Sequence, residues 1–246
     1  MKLYGLTGYP LGHSFSKKYF TEKFEKEMLG DCFFELFSLD DINRFPELID
    51  THQNLKGLAV TIPHKQAVMP FLSELDETAR EVGAVNCIRV SNNKLTGYNT
   101  DATGFEKSFK PLLQAHHKKA LVLGTGGASK AVQYVLKRLS MPFTLVSRLC
   151  QPGDNCISYT SLNKEIMEEN LVIINCTPVG MTPHEDGLPT IPFDFLSPRH
   201  YLYDLIYKPA ETGFLKEGKQ RGCLTKNGFE MLILQAEENW RIWNAG

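Results

Sequence analysis

The segment VLGTGGAS, residues 122–129, constrains this chain more than any other stretch. A buried-strand candidate, KALVL, ends at Leu123, and Gly124 and Gly126 follow at Gly-x-Gly spacing. A helical pattern then opens near 128, with Ala131, Val132, Val135, Leu136 and Leu139 on one face. Strand, glycine turn and helix in that order open a parallel α/β unit. Gly124 permits the tight turn, Gly126 lets a pyrophosphate approach the backbone, and the helix N-terminus supplies free N–H groups. The third glycine of the full pattern would fall at 129, where the chain carries Ser129. A glycine turn that holds no ligand is the plain alternative.

The next strand bears on that choice. FTLVS, 143–147, ends in Ser147-Arg148 with no acid to take a ribose 2′-hydroxyl. An arginine at that place suits a 2′-phosphate, by a charge-assisted hydrogen bond. The reading is NADP over NAD, against the alternative of an ordinary solvated arginine. Further strand candidates stand at 171–175 and 201–205, and the proline-rich stretch 176–200 between them reads as loop. A last helix starts near Phe229, with Leu232, Ile233, Ala236, Trp240 and Trp243 as its apolar stripe.

The first hundred residues also alternate. Strands are predicted at 2–8, 32–39 and 55–62, with helices around 15–28, 40–51 and 65–82 and a hairpin at 87–99 about Asn92-Asn93. This order predicts a mostly parallel sheet. Ligand sites in such sheets gather at the carboxyl ends of strands. GYPLGHSFS after the first strand holds Ser14 and Ser16, which suit either a carboxylate or a helix cap, capping being the simpler reading of Ser16 alone. GLAVTIPHK places Thr61, His64 and Lys65 just beyond the third strand, and Asn86 and Asp101 flank the hairpin. A lone lysine or aspartate is usually a solvated charge.

Composition narrows the function classes. With 27 basic and 28 acidic residues the formal charge is −1 and the pI near 6.7, no footprint for nucleic acid or an anionic membrane. The longest stretch without a charged residue, Asn170 to His184, is shorter than the ~20 residues of a membrane span and holds Pro178, Gly180 and Pro183. The N-terminus is broken by glycines and does not read as a signal peptide. The six cysteines form no CxxC pair and no zinc pattern, so reduced thiols in a cytoplasmic protein, and no bound metal, are expected.

Read together, GYPLGHSFS, VTIPHK, GAVN, NTD, LGTGGAS, NCTPVGM, DLIYKP and NGFEMLILQA resemble the shikimate dehydrogenase family, in that family's order from residue 5 to 236. The resemblance implies a reversible, NADPH-dependent reduction of 3-dehydroshikimate to shikimate, on the path to chorismate and the aromatic amino acids. It implies an N-terminal α/β substrate domain, 1–100, and a doubly wound, Rossmann-like NADP domain, 101–226, with a cleft between them. The C-terminal helix, 227–246, is then expected to pack back on the first domain.

Roles follow residue by residue from the same resemblance. Lys65 is the acid–base residue, paired with Asp101; Ser14 and Ser16 take the substrate carboxylate; Thr61, Asn86, Tyr207 and Gln235 complete the substrate contacts. Gly124, Thr125, Gly126, Gly127, Ala128, Ser147, Arg148, Thr177, Leu205 and Gly228 point to the cofactor, and Glu77 to the nicotinamide end. Two departures stand out. Ser147-Arg148-Leu149 replaces the family's Asn-Arg-Thr, which loses a polar contact to the 2′-phosphate, and Cys87 replaces a threonine. The chemistry agrees with this assignment, since hydride delivery to a ketone leaves an alkoxide that needs a proton and a positive charge, both of which a lysine supplies. Two rival readings are an NAD-preferring quinate/shikimate dehydrogenase and a non-catalytic NADP-binding regulatory module. The partners implied are the small-molecule substrate, with neither nucleic acid nor membrane, and a second copy of the chain in a homodimer.

Overall fold

The computed structural model describes residues 1–12, 14–92, 94–150 and 155–245. The chain divides into two compact units, Met1–Thr103 with Gln235–Gly246, and Gly104–Leu234. Residues 101–103 therefore fall with the first unit, and 227–234 with the second.

In the first unit the strands are β1 (Lys2–Gly8), β2 (Cys32–Ser38), β3 (Leu55–Val60), β4 (Glu74–Leu75), β5 (Cys87–Ser91) and β6 (Lys94–Tyr98). The helices are α1 (Phe15–Lys26), α2 (Phe45–Thr51), α3 (His64–Ala67) and α4 (Glu77–Val82), and α5 (Thr100–Phe109) leads out of the unit. The sheet runs β2-β1-β3-β5-β6-β4, parallel through its β2-β1-β3 part and antiparallel from β3 to β6. The hairpin predicted at 87–99 is β5-β6, turned at Asn92 with a left-handed φ of 51°; Asn93 lies outside the described residues. Where periodicity predicts one helix over 65–82, the chain forms α3, a 3₁₀ turn at Met69–Phe71, β4 and α4. Pro70 cannot donate to a helical ladder, and Asp76 starts a new helix by accepting the Ala79 N–H at 2.8 Å.

An aromatic cluster fills one face of this sheet: Tyr4, Phe20, Phe24, Phe34, Trp240 and Trp243. Phe20 stacks on Phe34 at 4.9 Å between centroids, and Trp243 sits 5.3 Å from Tyr4. The Trp243 indole N–H donates to the Ile88 carbonyl at 3.0 Å, which satisfies its one polar atom inside the core.

The second unit holds β7 (Ala120–Leu123), α6 (Gly127–Arg138), β8 (Phe143–Val146), β9 (Cys156–Ile157), α7 (Lys164–Glu169), β10 (Val172–Asn175), β11 (Tyr201–Asp204), α8 (Gly213–Gln220), β12 (Leu224–Lys226) and the start of α9 (Phe229–Trp243). Its strands run β12-β11-β10-β7-β8-β9, all parallel, and β7, β10 and β11 are buried along their length. Continuous apolar runs such as ALVL and VIIN suit strands covered on both faces. The chain winds outward from β7 to β9, returns to β10, and winds the other way to β12. The order therefore reverses between β7 and β10, a doubly wound arrangement. The short elements β9, α7, α8 and β12 carry too little periodicity to be read from sequence.

One expectation is corrected here. Cys150 and Cys156 are joined by a disulfide, not reduced. β9 pairs with β8 through Leu145↔Cys156, which returns Cys156 beside the segment leaving β8, with the two Cα atoms 5.6 Å apart. Cys32, Cys87, Cys176 and Cys223 are free.

Candidate active site

In the first unit the sheet order also reverses at β1, which has β2 on one side and β3 on the other. The loops leaving β1 and β3 are tied together at that point. The Thr61 N–H donates to the Thr7 carbonyl at 2.9 Å, and the Tyr9 N–H to the Ile62 carbonyl at 3.1 Å. Thr61 is thereby fixed, half-buried, at the carboxyl end of β3. Its own carbonyl accepts the His64 N–H at 2.9 Å and starts the short helix α3. The two side chains that open α3 go different ways. His64 is buried, its Nε2 2.6 Å from the Leu39 carbonyl, and serves the core. Lys65 is held by its backbone, whose carbonyl accepts the Val85 N–H at 2.7 Å.

The Lys65 Nζ donates to Asp101 Oδ2 at 2.6 Å, with the two side chains 20% and 13% exposed. The other lysine–aspartate pair among the described residues, Lys2–Asp31, lies on open surface. Asp101 stands in the first turn of α5, where the helix dipole favours a carboxylate. Asn99 starts that helix, its Oδ1 accepting the Ala102 N–H at 3.1 Å. One hydrogen bond uses one of the three ammonium hydrogens, so Lys65 keeps two for a ligand.

Asn86 is buried beside this pair. Its Oδ1 accepts the Thr100 backbone N–H at 2.7 Å, and its Nδ2 donates to the Thr100 hydroxyl at 3.0 Å. Thr100 was not singled out from sequence; its place between Asn99 and Asp101 is the only signal. Cys87 is fully buried, and burial raises its thiol well above the ordinary value, so it packs rather than reacts. Ser14 and Ser16 lie half-buried at the start of α1. The cap is Ser14, not Ser16: its backbone is extended and its Oγ accepts the Lys17 N–H at 3.4 Å, while Ser16 is already helical. Gln235 belongs to this unit, half-buried on α9.

In the second unit a cavity of about 600 Å³ opens at the reversal between β7 and β10. It is lined by Gly124, Thr125, Gly126, Ser147, Arg148 and Thr177. Gly124 adopts φ +95°, and a Cβ there would lie 2.9 Å from Thr177 Cγ2, so both conformation and space require glycine. α6 begins at Gly127 with no side-chain cap, which leaves the backbone N–H groups of its first turn for a ligand. Arg148 is exposed and makes no ion pair among the described residues. The same wall includes Tyr159, Val179, Leu188, Pro189 and Thr190, which sequence reasoning missed. Burial lifts the Tyr159 phenol above its ordinary value and the neighbouring Arg148 guanidinium pulls it down.

Thr177 is held from behind. The Asn175 Oδ1 accepts both the Thr177 N–H at 3.0 Å and its hydroxyl at 2.7 Å. The Asn175 Nδ2 donates to Asp204 Oδ1 at 3.0 Å, and the Thr212 hydroxyl donates to Asp204 Oδ2 at 2.6 Å. Asp204 is fully buried, and burial pushes its carboxyl up to about 6 against the pull of these hydrogen bonds.

The other predicted residues fall elsewhere. Gly127 and Ala128 form the first turn of α6 without lining the cavity. Leu205 and Gly228 face each other, and a Cβ on Gly228 would collide with the Leu205 carbonyl. Tyr207 is 38% exposed beyond β11. Glu77 lies in the first unit, exposed in the first turn of α4. Among the described residues no group of three or more His, Cys, Asp or Glu side chains could hold a metal ion, and no helix is long and apolar enough to cross a membrane.

This chain is similar to known proteins both in sequence and in fold. Residues 6–88 match the family described as shikimate dehydrogenase substrate binding domain. A shikimate dehydrogenase (NADP(+)) of Desulforamulus reducens is 36% identical over 97% of this chain and 88% of its own. The crystal structure of shikimate dehydrogenase from Aquifex aeolicus superposes with a TM-score of 0.85 at 31% identity, covering 99% of this chain and 92% of that one. The Thermus thermophilus shikimate 5-dehydrogenase, solved in complex with NADP(H) and shikimate, has a TM-score of 0.87 at 27% identity, covering 99% and 94%.

Proposed function

The chain belongs to the shikimate dehydrogenase family, and on that premise we propose how its two clusters divide the reaction. The enzyme interconverts 3-dehydroshikimate and shikimate with NADP(H), a step towards chorismate and the aromatic amino acids. The observation that carries the site assignment is the enclosed Lys65–Asp101 pair, with Thr61 and Asn86 fixed at the same strand ends.

The substrate is small, anionic and rich in hydroxyls, and the first unit offers hydroxyls, amides and one cation. Ser14 and Ser16 hold the carboxylate. Asn86, Thr61 and Gln235 hold the ring oxygens. Asp101 accepts one hydrogen from Lys65 and so aims the ammonium. Lys65 gives a proton to the carbonyl oxygen as negative charge develops there, and takes it back from the shikimate hydroxyl in the reverse direction.

The second unit fits a dinucleotide phosphate. Gly124 and Gly126 bring backbone to the rim of the cavity, the α6 N-terminus faces the pyrophosphate, and Arg148 meets the 2′-phosphate. Thr177 and Ser147 add hydroxyl contacts, and Gly127, Ala128, Leu205 and Gly228 take lesser places toward the same ligand. When bound, NADPH supplies the hydride. The same reading includes a cytoplasmic site of action, no nucleic-acid partner, and a homodimer as the assembly to look for by sedimentation.

A four-way steady-state assay tests this reading, with shikimate or quinate as substrate and NADP⁺ or NAD⁺ as cofactor. Shikimate with NADP⁺ is expected to give the highest kcat/KM. Preference for quinate with NAD⁺ would favour the first rival. NADP⁺ binding with no turnover of either substrate would favour a regulatory module.

A further inference from the structure

We propose that Tyr159, on the turn after β9, donates its phenol hydroxyl to the cofactor's 2′-phosphate beside Arg148, and so helps to select NADP over NAD. The proposal deepens the reading of Arg148 as the partner of that phosphate, and rests on it. Both residues belong to the second unit and line the same cavity of about 600 Å³.

The sheet brings the two residues to one place. β8 and β9 run parallel, with Val146 paired to Ile157. Arg148 and Tyr159 each stand two residues beyond that pair, at the carboxyl end of adjacent strands, which lie about 4.8 Å apart. The Ser147 N–H donates to the Ile157 carbonyl at 3.1 Å, and the Cys150–Cys156 disulfide joins the same two segments. The chain leaving β8 is thus tied to the chain leaving β9. Tyr159 then opens a 3₁₀ turn, Tyr159–Ser161, and its carbonyl accepts the Leu162 N–H at 3.3 Å.

The two ends of the side chain have different surroundings. The ring packs against the core that includes Leu123, Val146 and Leu162, so apolar contact holds it in place. The hydroxyl has no hydrogen-bond partner among the described residues. The buried side-chain polar atoms there that lack a partner are Arg89 Nε and the Tyr201 hydroxyl. The Tyr159 hydroxyl is therefore reached from the cavity that the residue lines. Burial keeps the phenol protonated at neutral pH, and the Arg148 guanidinium is close enough to act on it. A phosphate monoester carries close to two negative charges and three acceptor oxygens. Arg148, exposed and without an ion pair among the described residues, can engage two of those oxygens in parallel. Leu149 beside it has no side-chain donor, whereas the Tyr159 phenol supplies an O–H for the third. The sequence conceals this, because Tyr159 reaches the site through β9, a strand of two residues.

The test measures Kd for NADP⁺ and NAD⁺ by fluorescence titration, and inhibition by adenosine 2′-monophosphate, in wild type, Tyr159→Phe and Arg148→Ala. Tyr159→Phe keeps the ring in the core and removes only the hydroxyl, and a thermal melt checks that the fold is intact. It is expected to weaken NADP⁺ and adenosine 2′-monophosphate at least about tenfold, the lower end for a hydrogen bond to a charged group. NAD⁺ affinity, and kcat at saturating NADP⁺, should stay within about twofold. Unchanged NADP⁺ binding would overturn the proposal. So would an equal loss for both cofactors, which marks a contact outside the 2′-phosphate. The reading of Arg148 fails separately, if Arg148→Ala weakens both cofactors equally. A Tyr159→Phe loss confined to NADP⁺ would then still place the phenol on the phosphate, and an equal loss would remove it as well.

Discussion

The two units solve one problem with different materials. Each places its cluster where the strand order of a sheet reverses, β1 between β2 and β3 in the first, β7 beside β10 in the second. The first builds its cluster from side chains, Lys65, Asp101, Asn86 and Thr61, backed by neutral amides and a hydroxyl. The second builds from backbone, Gly124, Gly126 and the open α6 N-terminus, and backs Thr177 with the buried carboxylate of Asp204. A substrate that must be recognised atom by atom needs directional side chains. A phosphate can be met by N–H groups that any sequence possesses, provided that no Cβ intervenes. The contrast predicts that substitutions in the first unit act on chemistry and substrate, and those in the second on cofactor binding and pH-dependent stability.

The largest expected effect is at Lys65. Lys65→Met keeps most of the length and removes the charge, and kcat should fall ~10²–10⁴-fold, the usual loss for a positioned acid–base group. NADP⁺ affinity, measured by fluorescence titration, should stay near wild type. A folded Lys65→Met protein with near-full kcat would break the division of labour. Asp101→Asn should cost a similar, non-additive amount.

Asp204 gives the next effect, on stability. Its carboxyl is raised from the ordinary 3.8 to about 6, so the folded state holds the proton more tightly than the unfolded chain. Stability from this group is therefore fully present below about pH 4 and is lost as pH rises through about 6. At about 1.4 kcal/mol per pKa unit the loss is about 3 kcal/mol. Asp204→Asn should remove that slope, so that denaturant midpoints of variant and wild type converge or cross between pH 4 and 7. Parallel curves over that range would show that burial is not setting this group.

Arg148→Ala should weaken NADP⁺ binding by roughly 1.5–3 kcal/mol, the worth of a hydrogen bond to a charged group, and leave NAD⁺ nearly unchanged. Equal losses for both cofactors would make Arg148 structural. The smallest effect sharpens the first unit: Ser14→Ala should cost about 1 kcal/mol of stability through the lost α1 cap, and Ser16→Ala much less, while both raise KM for shikimate. A Ser14→Ala variant that loses stability alone would leave that serine only its capping role.

Some of this was legible before any coordinates. The glycine loop was readable because strand, turn and helix are consecutive, and each residue reports on its neighbours. Ser147-Arg148 was readable for the same reason, as the residues that end the next strand. The break of 65–82 into four elements was not, since Val68 and Leu72 keep helical spacing while Pro70 and Asp76 stop the ladder. The Cys150–Cys156 disulfide depends on the pairing of β9 with β8, and a two-residue strand leaves no periodic trace.

What the sequence by itself determined is whatever local rules enforce: alternating strands and helices, the glycines that keep Cβ atoms from the loop after β7, and the arginine that replaces an acid after β8. What only the tertiary structure decided is which distant residues meet. Lys65 and Asp101 stand on separate helices, and spacing alone left each an ordinary surface charge until the sheet brought them to 2.6 Å. Asn86, Thr100 and Asn239 come from three separate stretches of the chain and meet through the Thr100 backbone N–H and hydroxyl. Local geometry is encoded residue by residue, but a side-chain cluster exists only after the core has closed around it, because its energy comes from contacts that sequence neighbours do not share.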